Sequence, residues 1–176
     1  MTTRDHFPTV VHTLVLRTAP RTDPDATPPA AASARQGGSV VAANTQLLLL
    51  RRAGTGYGDG LYQPPGGYLQ AGESPSAAAI RECEEEAGIV IAPDDLQPLC
   101  VMPYYSPAGA TAGQGVDFIM MAWRFGGAAR IGEPHKADVI GWFDAGDLPA
   151  RAVPFLAPAL ACWRAGRWYH EFGFAP

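Results

Sequence analysis

Residues 10–17 (VVHTLVLR) crowd β-branched and leucine side chains together and predict a strand. A second apolar run at residues 44–52 (NTQLLLLRR) predicts another. Between them, residues 18–39 hold four prolines and six alanines with almost nothing to pack. A flexible surface insertion in an overgrown hairpin is expected there, because closure entropy rises only slowly with loop length. The glycine-rich stretch at 54–72 predicts a loop with one short strand.

The next element is marked at both ends. Ser74 is a capping residue, Pro75 suits a first helical position, and Gly88 suits the left-handed residue after a last turn. Strands are expected at 99–105 and 116–124. The second is apolar on both faces apart from Asp117, which predicts a central strand. A short strand at 139–143, a turn at 147–149 and a helix over 157–166, bounded before by Pro158, complete the pattern. Strands, helix, strands and helix in that order imply an α/β (α+β) architecture, a mixed sheet covered by helices.

Composition narrows the function. The 176 residues carry 13 Lys plus Arg against 17 Asp plus Glu, a net charge of −4, which does not advertise a nucleic-acid polymer as partner. With 47% hydrophobic residues the chain has material for a core, and its length suits a single domain over 1–176. The longest apolar run, residues 152–163, is shorter than the roughly 20 residues a bilayer demands, so no membrane span is expected. The N-terminal residues do not form a signal peptide pattern. Cys83, Cys100 and Cys162 are far apart in apolar settings, which argues for a reducing, cytoplasmic location. His6, His12 and His170 are isolated and read as structural.

The candidate chemistry lies in Arg81-Glu82-Cys83-Glu84-Glu85-Glu86, four glutamates in five positions. At about 100° per residue, Glu85 lies about 60° to one side of Glu82 and Glu86 about 40° to the other. The three carboxylates therefore share one face, while Ile80, Cys83 and Ala87 are expected to face a core. Like charges at this spacing repel. Two arrangements relieve that: a solvated acidic face helped by Arg81, or a cation held among the carboxylates. Magnesium suits the second, since it takes hard oxygen ligands and bridges to phosphates. Gly66-Gly67 allows close backbone approach, and Glu73 stands just before the helix.

Taken together, Gly67, five residues, Glu73, seven residues, then Arg81-Glu82-Cys83-Glu84-Glu85-Glu86-Ala87-Gly88-Ile89 resembles the Nudix box of the Nudix (MutT-like) hydrolases. Every fixed position is present, with Cys83 a small hydrophobe where an aliphatic residue is usual. The resemblance implies a Nudix fold, a mixed β-sheet sandwiched between α-helices. It also implies metal-dependent hydrolysis of a nucleoside diphosphate linked to another group. Carried onto this chain, Glu82, Glu85 and Glu86 are implied to be catalytic and to hold Mg2+, or Mn2+, with Gly67 contributing backbone near the metal. Arg81 is implied to support Glu85. Glu85, or a metal-bound hydroxide, is implied as the base.

Substrate signals lie outside the box. In residues 57–74, Tyr62 stands where the related stretch usually has Trp, Pro65 where Leu is usual and Tyr68 where His is usual; Tyr62, able to pack or stack, is an expected substrate contact. Glu133-Pro134-His135-Lys136 with Trp142-Phe143 resembles a stretch of small nucleoside-triphosphate pyrophosphatases. That resemblance implies Glu133 as a further metal ligand and Lys136 as a phosphate contact. Pro103-Tyr104-Tyr105 combines residue types associated with ADP-ribose and with dinucleoside-polyphosphate hydrolases, and Tyr104 can stack on a base. The expectation is hydrolysis of a nucleoside triphosphate to monophosphate and pyrophosphate. The alternatives are an ADP-ribose, nucleotide-sugar or dinucleoside-polyphosphate pyrophosphatase and, in another class, a non-catalytic nucleotide-binding module. The expected partner is a small nucleotide, with neither nucleic-acid polymer nor membrane, and a homodimer is plausible on base rates.

Overall fold

The computed structural model describes residues 7–19, 44–106 and 113–175. The expected insertion at 18–39 lies almost wholly outside them. The described strands are β1 (Thr9–Thr18), β2 (Thr45–Arg52), β3 (Tyr62–Gln63), β4 (Gly66–Tyr68), β5 (Ile89–Val90), β6 (Leu96–Ser106), β7 (Gly113–Ala122), β8 (Gly126–Gly127) and β9 (Ala137–Asp144). Two α-helices, α1 (Pro75–Ala87) and α2 (Leu156–Ala165), accompany them.

Seven strands form one mixed sheet in the order β3-β2-β1-β7-β6, with β4 also on β1 and β9 on β2. β1 joins its two halves. Its first half pairs antiparallel with β4 (Val11 opposite Gly67) and parallel with β7 (Val10 opposite Asp117). Its last residues pair antiparallel with β2 (Leu16 opposite Leu47), the pairing the hairpin expectation requires. β7 lies between β1 and β6, as its two apolar faces predict.

The run Leu47–Leu50 needs no alternation because both faces of the sheet are covered. Leu47 and Leu49, with Leu14 and Leu16, pack beneath α2 against Leu156, Ala159 and Leu160. Leu48 and Leu50, with Val15, pack beneath α1 against Cys83, Ala87 and Ile89. This is the mixed sheet between helices that the resemblance implied.

α1 starts and stops as its end residues dictate. The Ser74 side chain accepts the Ala77 N–H, Pro75 is first in the helix, and Gly88 adopts φ 67°. Its buried face differs from expectation. Ala78, Ala79, Cys83 and Ala87 are fully buried, whereas Ile80 is only partly so. Alanines let the helix lie close to the sheet, and the core arc shifts toward Glu82 and Glu86. Ala79, Glu82, Cys83 and Glu86 thus occupy one i, i+3, i+4, i+7 stripe.

Three further differences concern the sheet and its edges. The glycine-rich stretch holds two short strands, β3 and β4, rather than one. α2 begins before Pro158, which is tolerated in a first turn where no intrahelical N–H is needed. The tail beyond Gly166 lies along the outer edge of β6: the Trp168 carbonyl accepts the Val101 N–H and the Phe172 carbonyl the Tyr105 N–H. That segment has no strand signature in the sequence because its pairing partner is remote. All three cysteines are buried, and burial pushes the Cys83 and Cys100 thiols up to about 12.

Candidate active site

α1 carries the acidic run, β4 faces it, and Arg81 ties the two together. The Arg81 guanidinium donates from Nε and Nη2 to the two Glu73 oxygens at 2.8 and 3.0 Å. Its Nη1 donates to Glu82 at 2.7 Å and Glu85 at 2.9 Å, and Nη2 also reaches the Tyr68 carbonyl. Hydrogen bonds from Arg81 and from the Gln70 N–H hold the Glu73 carboxyl down at about 2. Glu73 thus serves as the anchor of Arg81, and Arg81 orients Glu82 as well as Glu85.

Glu82 and Glu86 are turned inward, Glu85 is half-exposed, and Glu84 is exposed. Glu86 Oε2 accepts the Gly66 N–H at 3.0 Å. Burial pushes its carboxyl up to about 7; the Gly66 bond opposes the shift, and the charge of Glu82 adds to it. Both glycines of β4 are demanded by contact. A side chain at Gly66 would strike the Val11 carbonyl, and a Cβ at Gly67 would lie 2.5 Å from Glu82 Oε1. Gly67→Ala is therefore expected to displace the Glu82 carboxylate while leaving the fold intact. Thermal melting should be unchanged within a few degrees while turnover falls on the order of 100-fold, the scale of an ångström of misplacement.

The segment around 130–133 closes the end of α1. The Arg130 and Gly132 N–H groups donate to the Ala87 and Glu86 carbonyls, taking up acceptors that a helix end leaves free. Gly132 is required there, since a side chain would meet the Glu85 carbonyl. This docking brings Glu133 into a small recess with Glu86, Arg52, Gln63 and Lys136. Lys136 is paired to Glu133 at 2.8 Å, and that hydrogen bond raises its pKa.

Among the described residues, no group of three His, Cys, Asp or Glu stands arranged to hold a metal ion. Arg81 engages Glu82 through Oε1 and Glu85 through Oε2. The donor set nevertheless suits a hard divalent cation: several carboxylate oxygens, one of them buried against its preference for solvent, beside a backbone that has no side chain.

On the opposite face of the sheet lies a cavity of about 480 Å³ that reaches Gly66 and Gly67. Its floor is the sheet itself, at Val10, His12, Asp117, Met102 and Tyr104, and Phe155 and Phe172 stand in its walls. His12 Nδ1 lies 2.8 Å from Asp117 Oδ2, and the imidazole packs on Phe155 at 4.5 Å between centroids. Burial works against a proton on His12; the charge and hydrogen bond of Asp117, with Glu86 and Glu82 behind them, outweigh it and raise the pKa.

The expected site residues therefore divide. Glu82, Glu85, Glu86, Arg81 and Gly67 are gathered along α1 and β4, and Glu133 and Lys136 reach Glu86 through the recess. Tyr104 lines the large cavity. Tyr62 does not: its ring packs on Phe143 at 5.1 Å, and its strand neighbours Leu61 and Gln63 face the cavity instead. Arg52, His12, Asp117 and Phe155 also line the cavity, although none is expected in the site from sequence and His12 reads there as structural. Of these only Asp117 carried a signal, as the one charge in an apolar strand.

The NUDIX domain profile matches residues 35–162. A MutT-like protein of Streptomyces ambofaciens is 38% identical over 72 residues, 41% of this chain and 44% of that protein. An ADP-ribose pyrophosphatase of Methanocaldococcus jannaschii is 26% identical over 113 residues, 64% of this chain and 63% of the relative. The chain thus spans less than two thirds of the length of these curated relatives. The crystal structure of a MutT NUDIX hydrolase from Burkholderia pseudomallei superposes with TM-score 0.65 at 23% identity, covering 89% of this chain and 98% of that one. The chain belongs to the NUDIX family.

Proposed function

We propose that the chain hydrolyses the pyrophosphate linkage of a nucleoside diphosphate derivative with the aid of Mg2+, or Mn2+, a nucleoside triphosphate being the first substrate class. The observation that carries the reading is the continuity between the Arg81-organised carboxylates and the large cavity at Gly66-Gly67. One end of a bound molecule can then rest in an aromatic pocket while its phosphates meet the acidic helix.

Glu82, Glu85, Glu86 and Glu133 would hold the metal, whose chemistry is to neutralise the pyrophosphate and favour attack by water. The chain's own part is positioning. Arg81 fixes Glu82 and Glu85, the Gly66 N–H fixes Glu86, and the bare backbone of Gly67 leaves room beside Glu82. Arg52, which lines both the recess and the cavity, supplies positive charge along the path between them. Glu85, half-exposed and held by one guanidinium nitrogen, is proposed to accept the proton of the attacking water.

ADP-ribose is a second reading, favoured by the Methanocaldococcus relative and by a cavity large enough for a nucleoside. A magnesium-dependent panel of nucleoside triphosphates, ADP-ribose, nucleotide sugars and dinucleoside polyphosphates, with products resolved by chromatography, separates the two. We expect one class to turn over, triphosphates giving monophosphate and pyrophosphate. Glu85→Gln should run at least on the order of 100-fold slower on the same substrate. Equal rates in parent and variant would remove Glu85 from the chemistry, and binding without turnover across the panel would leave a nucleotide-binding module.

A further inference from the structure

The floor of the large cavity contains a buried carboxylate with half of its hydrogen-bonding capacity unused. Asp117 is 4% exposed, and its Oδ2 is held by His12. Its Oδ1 has no hydrogen-bond partner among the described residues. Leaving a buried carboxylate oxygen without a donor is costly, and such groups in native proteins have a reason to be there. The register places Asp117 between Val10 on β1 and Met102 on β6, so its surroundings on the floor are apolar. The position is fixed from two sides: the strand ladder sets the backbone, and His12, itself packed on Phe155, sets the carboxylate.

The chemistry of a ligand at this point is constrained. A phosphate or another carboxylate would be repelled, so the anionic end of a substrate lies away from Asp117, toward Gly66-Gly67. Phe155, Phe172 and Tyr104 offer flat aromatic surfaces suited to a planar ring. An amino-bearing nucleobase is such a planar group, and its exocyclic NH2 projects a donor from the ring edge that can reach a carboxylate on the floor.

We propose that Asp117, oriented by His12, accepts a hydrogen bond from the exocyclic amino group of the substrate's base and makes this site selective for amino-bearing bases over their keto or unsubstituted counterparts. The inference rests on the pyrophosphohydrolase reading above and deepens it by naming the recognised chemical class. A site built to pair an exocyclic donor disfavours a base that puts a carbonyl acceptor, or nothing, at that position, because the carboxylate oxygen then stays unpaired.

The test compares kcat/KM for matched pairs in the intact chain: ATP with ITP, CTP with UTP, GTP with ITP, and ADP-ribose with its hypoxanthine counterpart. At least one pair should favour the amino member on the order of 100-fold or more. In Asp117→Asn the side-chain oxygen keeps the His12 bond and an NH2 group replaces Oδ1, so that preference should collapse or invert toward the keto member. The concentration of Mg2+ giving half-maximal rate should not move. Pairs that turn over without discrimination would overturn the proposal on the parent protein alone, whether or not the variant folds. An unchanged ratio in a folded variant would overturn it too, as would discrimination that follows the ribose hydroxyls in a dATP control. Absence of turnover and of nucleotide binding across the panel would overturn the broader reading along with it, and is distinguishable because no ratio would exist.

Discussion

Glu86→Gln is expected to give a protein that is more stable without metal and nearly inert as a catalyst. Burial holds the Glu86 carboxyl at about 7, against an ordinary value of 4.5. The folded state therefore keeps a proton that the unfolded chain releases between about pH 4.5 and 7. The metal-free protein should lose stability as pH rises through that window and level off above it. At neutral pH and above the shift corresponds to about 3 kcal/mol. Glutamine is neutral at every pH, and its amide oxygen can still accept the Gly66 N–H. The variant should accordingly melt higher than the parent at pH 8, with the two converging near pH 5. Chemical denaturation in the presence of a chelator measures this. Catalysis moves the other way: the substitution removes the negative charge proposed to hold the ion, and turnover should fall on the order of 100-fold or more, beyond the 10–100-fold usual for losing a partner that only supports a ligand. A variant that is no more stable than the parent at pH 8 without metal would show that Glu86 is not strained by its burial.

Removing the guanidinium of Arg81 should damage both fold and activity. Arg81 meets Glu73, Glu82 and Glu85 together, and the Tyr68 carbonyl besides. Arg81→Met leaves three carboxylates close together with no cation between them, so the variant should be less stable than the parent at neutral pH and high salt should recover part of the loss. Glu73 sharpens the test. Its depressed value of about 2 means that the pair contributes fully above about pH 4.5 and is lost as pH falls toward 2. Parent and variant should therefore differ most at neutral pH and approach each other in acid. Metal affinity should weaken 10–100-fold, the effect usual when a partner that orients ligands is lost. Arg81→Lys should restore little, because one ammonium cannot present the two parallel donors that Glu73 receives.

The parts of the molecule legible from sequence are those encoded over short spans. Ser74, Pro75 and Gly88 announced both ends of α1, and the Gly67-to-Ile89 spacing announced what the helix carries. The apolar run at 44–52 implied a strand, and the two apolar faces of 116–124 implied a central one. What escaped depends on contacts between distant segments. His12 looked isolated because its partner lies on β7, and Asp117 looked like an interruption because its partner lies on β1. The inward turn of Glu82 and Glu86 follows from Ala78 and Ala79, whose smallness, rather than any large apolar side chain, sets the depth of the helix. Tyr62 was expected at the ligand because the related stretch carries an aromatic there; the alternation of β3 directs it to Phe143 and leaves Gln63 facing the cavity.

His12 and Asp117 are separated by 105 positions and meet only across the parallel pairing of β1 with β7. Parallel neighbours need a long crossover, so this contact forms only once two segments far apart in the chain have been brought side by side. The pocket is consequently a report on completed assembly, and a half-folded chain offers nothing to grip. A molecule seated there binds the finished state alone and shifts the folding balance toward it, by about 2.7 kcal/mol at a hundredfold excess over its dissociation constant. The supply of substrate in the protein's surroundings thereby becomes a determinant of how long each folded copy survives.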